Sequence, residues 1–351
     1  MVVFEYFGKQ QGATPAAEVE FDGLEVALHE SYSQFENLRG AIPDAMSSVY
    51  ETVMLGNGSD EEKQAVIEGT LGDIWEKIKA FFRAIKNKVV AWFNAAKKWV
   101  STFFGNNAKF VEKYKTEIET KDGSKFEYSG YYWKQDAFSK VPAEVDKAID
   151  YAEGQLNNVT SGLRATMDAE VKKDLGKHIN EEIDKNIIKD GSVEKFKKRI
   201  TKAAHGGRDD RKAIKGFAAT GKSEMVKVVL DSKEALTAFQ ETIDGISDAA
   251  DKYEGEVDKL SEALNSEHEG NANIGSAVAK AREAAAGAKH ALAYKTGFLE
   301  LQKKLYTEMV SEYAGVLRAF VRYTPAKEDV QVQGKGEAVA ESASLLDSFQ
   351  F

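Results

Sequence analysis

From Leu71 to Phe104 the large apolar residues fall at Leu71, Ile74, Trp75, Ile78, Phe81, Phe82, Ile85, Val89, Trp92, Phe93, Ala96, Trp99, Val100 and Phe103. Steps of three and four predict one face of a long amphipathic helix. Adjacent pairs such as Phe81-Phe82 and Trp92-Phe93 widen that face beyond the ~100° a core-facing helix needs, so both edges require cover by several helices, a second subunit or lipid. Ser59 followed by Asp60, Glu61 and Glu62 marks the start, a hydroxyl cap and an acidic first turn. Gly105-Asn106-Asn107 is expected to end it. Upstream, Asp22 to Leu55 reads as a helix interrupted at Pro43, with Leu24, Leu28, Tyr32, Phe35 and Leu38 on one side.

The C-terminal half carries the most regular pattern. Leu236, Phe239, Ile243, Ile246, Ala250, Tyr253, Val257, Leu260 and Leu264 alternate steps of three and four, a heptad seam. After a loop over 265–275, Leu292, Leu299, Tyr306, Tyr313 and Phe320 recur at sevenfold intervals, predicting a second helix from about Ser276 to Tyr323 and an antiparallel hairpin with the first. Between the halves, Ile118 and Thr120 alternate on one side of Asp122-Gly123 and Phe126 and Tyr128 on the other, a β-hairpin pattern, and short strands are expected around Ala213 to Ala219.

These elements predict a mainly α protein: an elongated helical bundle with long antiparallel coiled-coil-like helices and a small β-hairpin insert. The chain divides into a partly ordered arm at 1–21, an amphipathic helical region at 22–107, a mixed region with small β elements at 108–222, a long helical hairpin at 223–323 and a mobile tail at 324–351. The tail is polar but ends in Leu345, Leu346, Phe349 and Phe351. Four prolines among 351 residues permit unusually long helices. No run of ~18 apolar residues and no leader pattern is found, so neither a membrane span nor a signal peptide is expected.

Charge sharpens the picture. Between Leu71 and Val100 seven bases face two acids, while the whole chain carries −9. A basic, aromatic helix in an acidic protein is either the member of a bundle whose lysines sit at the rim or an element that meets lipid. Cysteine is absent, which excludes disulfides, thiolate metal sites and a cysteine nucleophile. The histidines His29, His178, His205, His268 and His290 have no ligand spacing, though Glu267-His268-Glu269 is a cation-like loop. Lys195, Lys197, Lys198, Arg199 and Lys202 make a local basic run suited to nucleic acid.

Gly216-Phe217-Ala218-Ala219-Thr220-Gly221-Lys222-Ser223 fits the phosphate-loop pattern, in which Lys222 would hold phosphate and Ser223 magnesium. Its surroundings do not fit. Arg208 to Lys215 is too charged for a strand buried on both faces, and no later apolar run supplies the magnesium-side carboxylate.

The acidic helix around Glu25 to Tyr32, the run Ile74 to Phe93, the glycine-rich basic insert and the long coiled helices resemble, in style and order, internal or head-associated virion proteins of large tailed bacteriophages. The resemblance implies a non-enzymatic structural protein with no cofactor, metal or small-molecule substrate, made in the bacterial host cytoplasm and packaged in the phage head. Its implied partners are other virion proteins or copies of itself, with local contact to packaged DNA and a weaker expectation of membrane contact. Ala16-Ala17-Glu18 fits the pattern after which some such proteins are trimmed. Trp75, Phe82, Trp92, Phe93 and Trp99, with Leu346, Phe349 and Phe351 of the tail, are the candidate interaction residues. Two rival expectations stand beside it: a membrane-perturbing protein using helix 71–104, and a nucleotide-binding protein using 216–223.

Overall fold

A computed structural model describes residues 24–56, 58–131, 142–165, 175–205, 211–266 and 271–324. The arm at 1–21, the triplet Ala16-Ala17-Glu18, the loop Glu267-His268-Glu269 and the tail residues Leu346, Phe349 and Phe351 lie outside the described residues. In chain order the elements are α1 (Leu24–Leu55), α2 (Asp60–Thr120), β1 (Glu127–Tyr131), α3 (Ala143–Ala165), and α4 (Leu175–Glu182) with a π-helical turn, Ile183–Ile187. Then come α5 (Val193–His205), β2 (Arg211–Lys215), α6 (Ala219–Asp231) with a 3-10 turn, Ser232–Glu234, α7 (Ala235–Ser266) and α8 (Asn271–Arg322). Among the described residues the protein is a bundle of long helices with one two-stranded antiparallel sheet.

Helix α2 opens as its sequence dictates. The Ser59 hydroxyl accepts from the Glu62 amide at 3.2 Å, and the Glu62 carboxylate accepts from the Ser59 amide at 2.9 Å, a reciprocal capping box. The helix then runs 61 residues without a break. Gly105-Asn106-Asn107 does not end it, because the buried Asn107 side chain donates to the Phe103 carbonyl at 3.0 Å and accepts from Arg318 at 2.7 Å. Helix α1 likewise continues through Pro43, the tertiary contacts of Leu28, Phe35, Ile42 and Val49 outweighing one lost backbone hydrogen bond.

Helices α1 and α7 flank α2. Rings pass the contact across all three: Phe35 to Phe81 at 4.5 Å, Phe81 to Phe82 at 5.2 Å and Phe82 to Tyr253 at 5.4 Å. Along the rim of α2 and α7, Lys79 meets Asp258 at 2.8 Å, Arg83 meets Glu254 at 2.7 Å and Lys86 meets Asp251 at 2.6 Å. As one number rises the other falls, so the helices are antiparallel and both charge rows share the three-four step. Each half-exposed pair contributes only ~0–1 kcal/mol, so burial rather than the ladder holds the helices together.

The centre belongs to α8, not to the basic aromatic helix. It packs against each of α1 to α7. In its first half Ala281, Ala284, Ala285, Ala288, Ala291 and Leu292 are buried, and in its second Phe298, Leu299, Val310, Leu317 and Phe320. Small residues let backbones close in: a Cβ at Gly287 would lie 2.3 Å from Ile179 Cγ2. Helices α7 and α8 do run antiparallel, with Phe239 beside Tyr306 and Thr242 bonded to Gln302 at 3.1 Å. The α7 seam is nevertheless not a private hairpin. Tyr253 touches α2 and donates its hydroxyl to the Ile149 carbonyl of α3 at 3.1 Å.

The sheet is also differently wired from the local turn expected. β1 pairs with the distant β2, Glu127 opposite Lys215 and Tyr131 opposite Arg211, while Ile118 and Thr120 stay in α2. Ile118 is fully buried at the helical spacing set by Val111, so core packing claims it for the helix.

Candidate interaction surface

The aromatic face of α2 separates into two parts. Trp75, Phe82, Trp92 and Phe93 are buried within the protein's own bundle, where Trp75 is 2% exposed and its Nε1 has no hydrogen-bond partner. Trp99, the fifth candidate on this helix, is half-buried and stacks on Phe103 with ring planes 8° apart and centroids 5.2 Å apart. Phe110 and Tyr114, also half-buried and 5.1 Å apart, extend the same edge. Cations stand over these rings: Lys303 5.9 Å from Trp99, Arg318 4.9 Å from Phe110 and Lys113 5.1 Å from Tyr114. Burial and the neighbouring Arg322 pull the Arg318 guanidinium below its ordinary value. The result is a partly open, cation-rimmed aromatic edge, suited to an apolar or acidic partner segment.

The phosphate-loop match has another use. A strand does precede it, β2, and a helix does follow, α6, but the strand is half of a small antiparallel pair. The Gly216 amide donates to the Phe126 carbonyl at 2.8 Å and the Phe217 amide to the Gly123 carbonyl at 2.7 Å, so these loop amides are already committed. Gly216 has a φ of +75°, which glycine alone adopts without strain. Gly123 is required by close approach, because a Cβ there would lie 2.5 Å from the Phe217 carbonyl oxygen. Phe217 enters a cluster with Phe126 and Phe320.

Lys222 is 5% exposed and its Nζ donates to the Lys121 carbonyl at 2.8 Å and reaches the Glu119 carbonyl at 3.4 Å, lying 5.2 Å from the Phe320 ring. It therefore caps the negative C-terminal end of α2. Lys222→Ala should cost about 1.5–3 kcal/mol in urea unfolding, the worth of a buried charge-assisted hydrogen bond. Calorimetric titration with magnesium-ATP should show no binding in either form. Micromolar binding abolished by the substitution would restore the nucleotide reading.

One polar constellation escapes the sequence. Asp184, on the π-helical turn, is 2.8 Å from His290 Nε2 and accepts from the Tyr294 hydroxyl at 2.6 Å. Burial first, then the Asp184 hydrogen bond and charge, push the Tyr294 phenol well up. The three are brought together from separations of 106 and 110 residues, which no local spacing announces. A second network holds Glu283, 5% exposed at its side chain, between Arg39 at 2.7 Å and Arg282 at 2.9 Å. In the basic run of α5, Lys197 pairs with Glu300 and Arg199 with Asp190, leaving Lys195, Lys198 and Lys202 exposed. Among the described residues no group of three or more His, Asp or Glu side chains is placed to hold a metal, and no helix is long and apolar enough to cross a membrane.

No protein-family model, curated protein or solved structure matches this chain.

Proposed function

We propose that this protein is a non-enzymatic structural component of a bacteriophage particle, internal or head-associated, acting through helical packing and contacts with other proteins or copies of itself. The observation that carries a contact role is α2, whose 61 residues make a rod about 90 Å long with a cation-rimmed aromatic edge on its C-terminal half. The side chains with most chemical potential, Lys222 and His290, are engaged in holding helices together. Support for the phage setting is the resemblance of the Glu25–Tyr32 and Ile74–Phe93 segments and of the element order. Mass spectrometry of density-purified particles from the source of this chain should find it at a fixed ratio to the major shell protein; its absence from such particles would overturn the proposal.

The membrane-perturbing rival requires Trp75, Phe82, Trp92 and Phe93 to leave the core and the Lys79, Arg83 and Lys86 ion pairs to open. Dye-loaded anionic vesicles mixed with the intact protein at physiological salt should stay sealed. Leakage that grows as salt is lowered would instead assign the basic face of α2 to a lipid surface.

A further inference from the structure

We propose that the aromatic edge of α2 from Trp99 to Tyr114 is the docking groove for the chain's own N-terminal segment, residues 1–23. The groove continues a face that α1 already covers. Phe81 and Trp99 are 18 residues apart, five full turns at 3.6 residues each, so they point the same way from the helix. Phe81 lies under Tyr32 and Phe35 of α1 and is 6% exposed. Trp99, Phe103, Phe110 and Tyr114 are half-buried.

The two helices are antiparallel, Phe35 beside Phe81 and Glu30 3.7 Å from Lys88. Advancing six residues from each member of that pair sets Leu24, the first residue of α1, opposite about residue 94 of α2. Leu24 therefore stands at the near end of the groove. From residue 94 to Tyr114 is about 30 Å along the helix, whereas 23 extended residues reach about 75 Å.

The segment's chemistry complements the groove. Val2, Val3, Phe4, Tyr6 and Phe7 form its apolar end, and Glu5, Glu18, Glu20 and Asp22 stand against Lys9, a side-chain charge of −3. The groove is rimmed by Lys303, Arg318 and Lys113, with Lys97 and Lys98 exposed beside Trp99.

Acrylamide quenching of Trp99, isolated by difference against Trp99→Phe, tests this in the full chain, in a form lacking residues 1–21, and in a full-length Phe4→Asp/Phe7→Asp double variant. Both altered forms should show about a twofold or greater rise in the Trp99 quenching constant. A synthetic peptide of residues 1–23 should reverse the rise in the shortened form. An unchanged constant in the double variant overturns the proposal. So does protection of Trp99 that fades on dilution of the full chain, which would make a second copy the occupant.

Discussion

Ile246→Asp should lower the thermal midpoint by roughly 8 °C or more, as followed by circular dichroism, corresponding to a loss of about 4 kcal/mol. Ile246 has no exposed surface and sits midway along the α7 seam, where α7 meets α2, α3 and α8. An aspartate there either carries an unpaired charge into an apolar interior or takes up a proton to avoid it, and both states forfeit the isoleucine's packing. Ile246→Val removes one methylene and should cost about 1 kcal/mol. The contrast between the two separates charge burial from lost volume. Equal, small effects would mean that this stretch of α7 is not packed as described.

Alkali should unfold the protein cooperatively. Burial, first among the causes, pushes the Tyr32 and Tyr128 phenols up to about 12 and Tyr253 well above its ordinary value. The sign follows from linkage. A phenol whose folded value is raised keeps its full stabilising share below the unfolded value near 10, and loses it as pH rises toward the folded value. For Tyr32 a rise of two units is worth about 2.7 kcal/mol, lost in full once pH has passed the folded value of about 12. Tyr253, without exposed surface, and Tyr294 act in the same direction, and together they match a large part of a typical ~5–15 kcal/mol stability. Phenolate absorbance should therefore rise in two stages, the second coinciding with loss of helix. Tyr253→Phe should lose about 1 kcal/mol at neutral pH, because the Ile149 carbonyl loses its donor, yet unfold at higher pH than the parent. A single-stage titration with the helix intact would contradict this.

What could be read from the sequence was what depends on near neighbours. Ser59 and Glu62 cap each other within one turn, and the three-four stripe of α2 is a property of the helix itself, so both appear where expected. What escaped depends on residues far along the chain. Asn107 stays helical because Arg318 answers it, β1 finds β2 instead of a local partner, and Lys222 finishes a helix that ends a hundred residues earlier. The centrality of α8 was hidden for another reason. Alanine is neutral in a periodicity pattern, so Ala281 to Ala291 gave no apolar stripe, although small side chains are what allow several helices to crowd one axis. Of the candidate contact residues, spacing alone placed Trp92 and Trp99 on one stripe. The point where α1 begins, at Leu24, divides a covered face from a half-open one.

The position of α8 has a consequence for biosynthesis. The axis around which the other described helices pack is the last of them to be translated, complete at Arg322, 202 residues after α2 is complete at Thr120. At ~5–20 residues per second that interval is about 10–40 s, far longer than a helix needs to form. Throughout it the growing chain carries the finished α2 with Trp75, Phe82, Trp92 and Phe93 before α8, one of the helices packed against it, is complete. A cell making this protein carries a basic aromatic rod on the ribosome for that interval, and truncation anywhere before Asn271 releases a chain without the helix on which α1 to α7 all pack.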